Sequence, residues 1–335
     1  MKYVLFIFFL LPLSAVFADD SSPAQTPPAA DAGETEQRPA KPAPVFNWMF
    51  QTALGIKSAQ TQECVYEGAK QISRLDWIDN AVPFAAFSAA LSAFNITARF
   101  GLSLSIPVKS GIMEDRDFLI AGSNAVSHYS RHNMCLDKDF TCYAELGYVF
   151  KINTFYIFPA AGFCYENRKW SASDGFLQYP IGGGMWTGSE PKENIYGTVI
   201  NYEQSLWYPA LSLCAGYIYN QRFDFALYGS FYPYISAESM DNHFVRSPPV
   251  RFYDTITGGL GGKAGVYAAF YLVKEIAFAA ALEYETFTSA KGKTSSGTIG
   301  IGNGALAVDE GYSAKIERGA FSASFGVKVK AGNLL

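Results

Sequence analysis

Only three histidines occur in the 335 residues, and one of them stands next but one to an aspartate: Asp241 and His243, within ESMDNHFVRS, Glu238 to Ser247. A carboxylate beside an imidazole orients the ring and favours its protonated form, so the pair can take a proton from water near neutral pH. A second acidic stretch, GIMEDRDFL, carries Asp115 and Asp117 with one residue between them. If strand pairing continues there, that spacing turns both carboxylates to one side, where they can grip one water or share one proton. Together the four would form a water-activating tetrad that needs no metal and no covalent nucleophile. A third stretch, SHYSRH from Ser127 to His132, sets Ser130 close to His128 and His132. A serine nucleophile needs a base and an oxyanion hole, and no GxSxG elbow is present. Ser130 and His132 are therefore read as supporting polar residues of a cleft. Taken singly, each pattern is also what a solvated polar loop would show.

The elements that must position these residues follow from composition. The chain is 49% hydrophobic and 16% aromatic but only 17% charged, against about 25% charged in an ordinary soluble domain. Residues 1–18 read as a secretory signal, with one Lys, an apolar core and a cut after Ala18. Residues 19–45, rich in Pro, Ala, Ser and charge, read as a flexible leader, and 46–335 as the folded domain. Beyond the signal no apolar run reaches the roughly 18 residues of a spanning helix. The remaining way to satisfy every backbone group in lipid is a closed β-barrel. A net charge of −4 argues against a nucleic-acid partner. The five cysteines, Cys64, Cys135, Cys142, Cys164 and Cys214, are odd in number and show no metal-ligand spacing. Cys135 and Cys142 are close enough in sequence to bridge a loop, and Cys164 and Cys214 equally suit small apolar fillers.

Alternation is the secondary-structure signal. In FDFALYGSFYPYIS one parity carries Phe223, Phe225, Leu227, Phe231 and Ile235, and the other Asp224, Ser230 and Ser236 with three tyrosines. Ten such segments recur, at about 53–66, 74–93, 97–107, 141–151, 155–171, 198–219, 223–237, 251–272, 276–288 and 312–330. The expectation is an all-β, ten-stranded antiparallel transmembrane barrel. Its tight connections (AFNITAR, KINTF, YNQRFD, LVKEIA) belong on the periplasmic side, and its long polar stretches, near 111–139, 169–197, 238–249 and 290–310, outside. Trp77, Tyr208, Tyr217 and Tyr271 are expected as interface girdles.

With these residues in order, the chain resembles the omptin family of outer-membrane proteases. The likeness runs from LGIKSAQTQECVYE and SRLDWIDNA through MEDRD, YSRH, AGFCYENR, INYEQ and MDNH to ERGAFSASFGVKV, nearly everything after Thr52. It implies an outer-membrane endopeptidase cutting at Arg or Lys in an outward cleft. By similarity His243 is the general base toward water, Asp241 orients it, and Asp115 and Asp117 position the water from the other side. The resemblance places Met113 and Ile200 along the pocket after the scissile bond. It places Glu63 at the base of the pocket for a basic side chain, where a carboxylate meets a guanidinium by paired charged hydrogen bonds. The family's second acid in that pocket falls on Ser239, leaving Glu63 alone unless Glu238 turns inward, and His128 stands where an acid is expected. Preference for paired basic residues is thereby put in doubt. Glu166 and Arg168 correspond to part of an outer-wall site for lipopolysaccharide, while Cys164 and Ser205 replace a Tyr and an Arg there. Dependence on that lipid or another of the outer leaflet is expected to be weak or absent, with no other cofactor and no metal. The expected partners are peptides or proteins with basic residues and the outer membrane, and the expected state is a monomer. Two rivals are a non-catalytic surface barrel, acting as an adhesin or host-protein binder, and a small porin.

Overall fold

The computed structural model describes residues 46–299 and 306–331, so the expectations for the signal and leader lie outside it. In chain order the strands are β1 (Asn47–Glu67), β2 (Lys70–Ala93), β3 (Ile96–Ser105), β4 (Val108–Asp117), β5 (His128–Tyr148), β6 (Phe150–Ile152), β7 (Phe155–Gln178), β8 (Glu193–Tyr219), β9 (Phe223–Tyr232), β10 (Ser236–His243), β11 (Val250–Thr257), β12 (Gly259–Tyr271), β13 (Ile276–Ser289), β14 (Gly292–Thr298) and β15 (Ala307–Ala331). Ten staves close on themselves, all antiparallel: β1, β2, β3, β5, β7, β8, β9, β12, β13, β15 and back to β1. Toward one end separate strands carry four staves onward. There the ring runs β1, β2, β4, β5, β7, β8, β10, β11, β14, β15. We call this end the mouth. At the other end the turns are tight, and Asn95, Asn153 and Asn220 take the left-handed backbone, at φ 66°, 56° and 49°, that asparagine tolerates better than most side chains.

The wall follows the alternation. Phe223, Phe225, Leu227 and Phe231 of β9 are exposed, whereas Asp224, Ala226 and Tyr232 between them are buried. The exposed apolar residues continue around the ring, through Phe50 and Leu54, Phe100, Leu146, Phe163, Leu211, Val266, Phe278 and Phe325. A continuous outward apolar band is what a lipid-facing barrel requires. Of the expected girdle residues, Trp77, Tyr208 and Tyr271 are instead buried, because their parity points inward. Tyr217 shares the outward parity of Leu211 and Leu213 and packs against Phe155 with ring centroids 4.7 Å apart.

The stretches expected as long loops are largely strand. Residues 111–139 form most of β4 and the upper half of β5, and 169–197 extend β7 and open β8. Residues 238–249 include the end of β10, and 290–310 include β14 and the start of β15. Cys135 and Cys142 lie seven residues apart on the single strand β5 and are both free. An extended chain puts about 23 Å between such positions, which excludes a bridge.

The inside-outside rule changes phase below the mouth. Even-numbered residues point inward in β9, but after Pro233 and Tyr234 the buried residues are Ile235, Ala237, Ser239, Asp241 and His243. Neighbouring strands change at the same level. Inward positions are odd in β12 and even in β11, across Gly258 and Gly259, and odd in β13 but even at Thr294 of β14, across Ala290 and Lys291. Backbone bonds tie the three breaks together, Gly258 N to Ile235 O at 2.7 Å and Ala290 N to Gly258 O at 2.9 Å. Gly258 and Gly259 sit at φ 99° and 128°, conformations that strain any residue with a Cβ.

Candidate active site

The phase change brings the sequence-predicted dyad inward. Asp241 and His243 are 3% and 8% exposed, and His243 Nε2 donates to Asp241 Oδ2 at 2.6 Å. That bond leaves Nδ1 as the nitrogen available to a water. The ring packs on Phe252, edge to face at 5.4 Å between centroids, and His243 is in register with Ile200 and Val250. Asp115 and Asp117 project from β4, paired in register with Leu75 and Ser73 of β2 and with Ser130 and His128 of β5. Ser73 Oγ lies 3.4 Å from Asp115 Oδ1.

In the ring of the mouth β4 and β10 are separated by β5, β7 and β8 on one side, so the two pairs face each other across the opening. Their electrostatics meet. Burial, followed by Asp117, pushes the Asp115 carboxyl up to about 7, with His243 pulling against it and Asp241 adding to it. Burial raises Asp117 as well, opposed by His128, Ser73, Arg246 and His243. Burial of His243 works against its charge, but Asp241, by charge and hydrogen bond, and Asp115 more than reverse this and hold the ring above its ordinary 6.5. Asp115, Asp117 and His243 each hold a proton to higher pH than they would alone.

Ser130 and His132 form a second buried unit on β5. His132 Nδ1 lies 2.6 Å from the Asp174 carbonyl, so it donates there, and Nε2 accepts from Ser130 Oγ at 2.9 Å. Burial lowers the His132 pKa, which keeps the ring neutral. Beneath the dyad and the Asp pair, Met113 and Ile200 join one apolar cluster with Trp77, Trp170 and Tyr202. The Trp77 ring stacks on Tyr202 at 5.4 Å and on Trp170 at 5.8 Å, closing the floor of the cleft.

Glu63 projects from β1 into the same cavity and is 2% exposed. Glu238 is exposed and does not turn inward. Asp254 of β11, also 2% exposed, stands beside Glu63 instead. Ser239, opposite it in register, donates to Asp254 Oδ2 at 2.8 Å. Sequence reasoning passed over Asp254; its one signal is a lone acid on the inward parity of the strand, in RFYDTIT. Arg246, in the turn after His243, was also passed over, and its charge bears on Asp115, Asp117 and His243.

Glu166 and Arg168 require correction. They are 2% and 3% exposed and point into the barrel, so they cannot contact lipid on its outer wall. Arg168 Nη2 binds Glu166 at 2.7 Å and its Nε binds Asp139 at 2.9 Å. Arg318 bridges Glu166 at 2.6 Å and Glu285 at 2.7 Å, and Lys57 pairs with Asp139. Alternation puts Tyr165, Asn167 and Lys169 on the opposite parity of the strand, although Asn167 is buried too.

The molecule these features define is a ten-stranded β-barrel of the outer-membrane type with a polar, protonatable cleft at its mouth. The omptin family model matches residues 46–330, and the chain belongs to the omptin family of outer-membrane proteases. Outer membrane protease OmpT from Escherichia coli is similar in structure, with a TM-score of 0.78 at 18% identity over 85% of this chain and 97% of that one. The translocator domain of autotransporter NalP from Neisseria meningitidis gives 0.33 at 12% identity over 83% of this chain and 88% of that one. Outer membrane protein OprG from Pseudomonas aeruginosa gives 0.31 at 12% over 84% and 97%. At those two scores the likeness decides nothing. No curated protein matches the sequence.

Proposed function

We propose that the protein is an endopeptidase of the outer membrane, its cleft facing the cell exterior, that hydrolyses peptide bonds at basic residues with a water activated by His243. The observation that carries this reading is the convergence of two pairs from opposite sides of the mouth. His243, bonded to Asp241 at 2.6 Å, and the Asp115–Asp117 pair each alter the other's protonation. Neutral His243 takes the water's proton at Nδ1, and the carboxyls of β4 accept hydrogen bonds from the same water and aim it. The water oxygen adds to the scissile carbonyl carbon, and the imidazolium, stabilised by Asp241, returns its proton to the leaving amine. No covalent intermediate with the protein is required. Buried Glu63, an acceptor without a protein donor at Oε2, supports selection of Arg or Lys.

The test is digestion of a peptide library by the purified protein, with and without lipopolysaccharide, read by mass spectrometry beside His243→Ala. Cuts clustered at Arg or Lys and absent from the variant are expected. Tight peptide binding with no cuts would make the protein a surface binder instead. Intact cells expressing it should cut a peptide that cannot cross the outer membrane.

A further inference from the structure

The acid missing at position 239 has a substitute one strand away. Glu63 from β1 and Asp254 from β11 are electrostatic neighbours inside the barrel, and both are 2% exposed. Neither Glu63 Oε2 nor Asp254 Oδ1 has a protein donor, and the same is true of Asp241 Oδ1 and Gln204 Oε1. Burial, Asp241 and Asp254 all oppose ionisation of Glu63, and no cation of the chain stands among its strongest influences. Buried acceptors are ordinarily paired, and a carboxylate left alone is costly. A cluster made of acceptors is completed by a group that only donates. Guanidinium, with five N–H, and ammonium, with three, fit this demand. A metal fits it poorly, since no group of three or more His, Cys, Asp or Glu among the described residues could hold one. Tyr202, fully buried and electrostatically in touch with both Glu63 and Asp254, adds an aromatic surface of the kind on which such cations settle.

We infer that Asp254, rather than residue 239, is the second acid of a pocket that takes one guanidinium or ammonium side chain, with Glu63 the first and Ser239 the hydroxyl that steers Asp254. Taking that cation to be a substrate side chain rests on the hydrolytic reading above; the pocket itself does not. Asp241 acts on Glu63 and Asp254 as well as on His243, so the cation is seated beside the dyad. In the empty pocket the two carboxyls share a proton. The arriving cation displaces it, so binding releases a proton and tightens as pH rises.

Binding of benzamidine, an aryl amidinium, to the full-length His243→Ala protein in detergent micelles reads this without proteolysis. Calorimetry in buffers of different ionisation enthalpy counts the protons. Asp254→Asn, added to that parent, is expected to weaken binding about tenfold or more, the loss of a charge-assisted hydrogen bond, and Glu63→Gln to do likewise. Adding Ser239→Asp to the Asp254→Asn protein restores an acid from the neighbouring strand and should recover most of the affinity. If Asp254→Asn does not form a barrel, Ser239→Ala, which frees Asp254 to turn away, should weaken binding about threefold. Affinity unchanged in whichever of these variants folds overturns the inference. So does binding that neither releases protons nor tightens as pH rises. Amidinium binding without peptide cleavage by the native protein would leave the pocket standing and remove the hydrolytic reading. Cleavage at basic residues with an unaltered KM in Asp254→Asn alone would do the reverse.

Discussion

At the scale of single residues the site is a contest over protons, and its pH dependence can be signed. His243 must be neutral to accept a proton, and its pKa lies above 6.5 because Asp241 and Asp115 outweigh burial. Asp115, raised to about 7, accepts a hydrogen bond from water more strongly when ionised. The neutral ring and the ionised carboxyl are both lost on acidification, so kcat should fall as pH drops through neutrality. His243→Ala should lower kcat by roughly 10²–10⁴-fold in a barrel of unchanged heat-modifiable mobility. Asp241→Asn should lower it too and move the acid limb of the kcat–pH profile downward, since the imidazolium loses its partner. A limb that stays in place would deny Asp241 that role. Stability runs the other way. Asp115 and His243 both hold protons more tightly folded than unfolded, so the stability they add is present in acid and lost as pH rises through their folded values. The unfolding midpoint should therefore be higher near pH 5.5 than near pH 8, by roughly a few degrees, and Asp115→Asn should flatten that slope.

At the scale of elements, most of the wall was legible in the sequence. Phe223, Phe225, Leu227 and Phe231 face lipid while Asp224 and Tyr232 face inward, and that contrast is written into every second letter. The Asp115 and Asp117 spacing was legible for the same reason, because pairing does continue through β4. The upper strands were not. Above the lipid both faces meet polar groups or water, so β4, the top of β5 and β14 lose the alternating contrast and read as loops. The inward turn of Asp241 and His243 was hidden more deeply. Continued from β9, their odd numbers would face outward, and the inversion depends on breaks in three separate strands that lie together only in the folded ring. Glu166 and Arg168 were misassigned because a motif match along a strand does not say which face its charged residues take, and here their ion pairs lie inside the barrel. Gly259 tests this account. A Cβ there would come within 2.5 Å of Ser289 Cα on a backbone at φ 128°. Gly259→Val should displace β11 and its partner β10 and lower peptide cleavage by at least about tenfold, with the lipid-facing wall still formed. Full activity in that variant would mean that the break positions nothing.

At the scale of the whole molecule, buried ion pairs span the lumen. Arg318, Arg168, Glu166, Glu285 and Asp139 knit β15, β7, β13 and β5 together across the interior. Planar-bilayer recordings should show no steady conductance, and stable open channels would contradict this packing. Arg318→Met leaves buried Glu285 without its ion-pair partner and removes one of the two cations on Glu166, and should cost about 3–5 kcal/mol, measured by urea unfolding in vesicles. Leu211→Arg, on the outward band, should cost about 2–4 kcal/mol if it lies near the bilayer midplane. The row of breaks at Pro233, Gly258 and Ala290 has a further consequence. Because the facing rule restarts there, substitutions that suit the wall to a thicker or thinner bilayer leave the orientation of the cleft unaltered. A graft cut at those three breaks would carry β10, β11 and β14, with Asp241, His243 and Asp254, as one cassette between the unbroken β8 and β15.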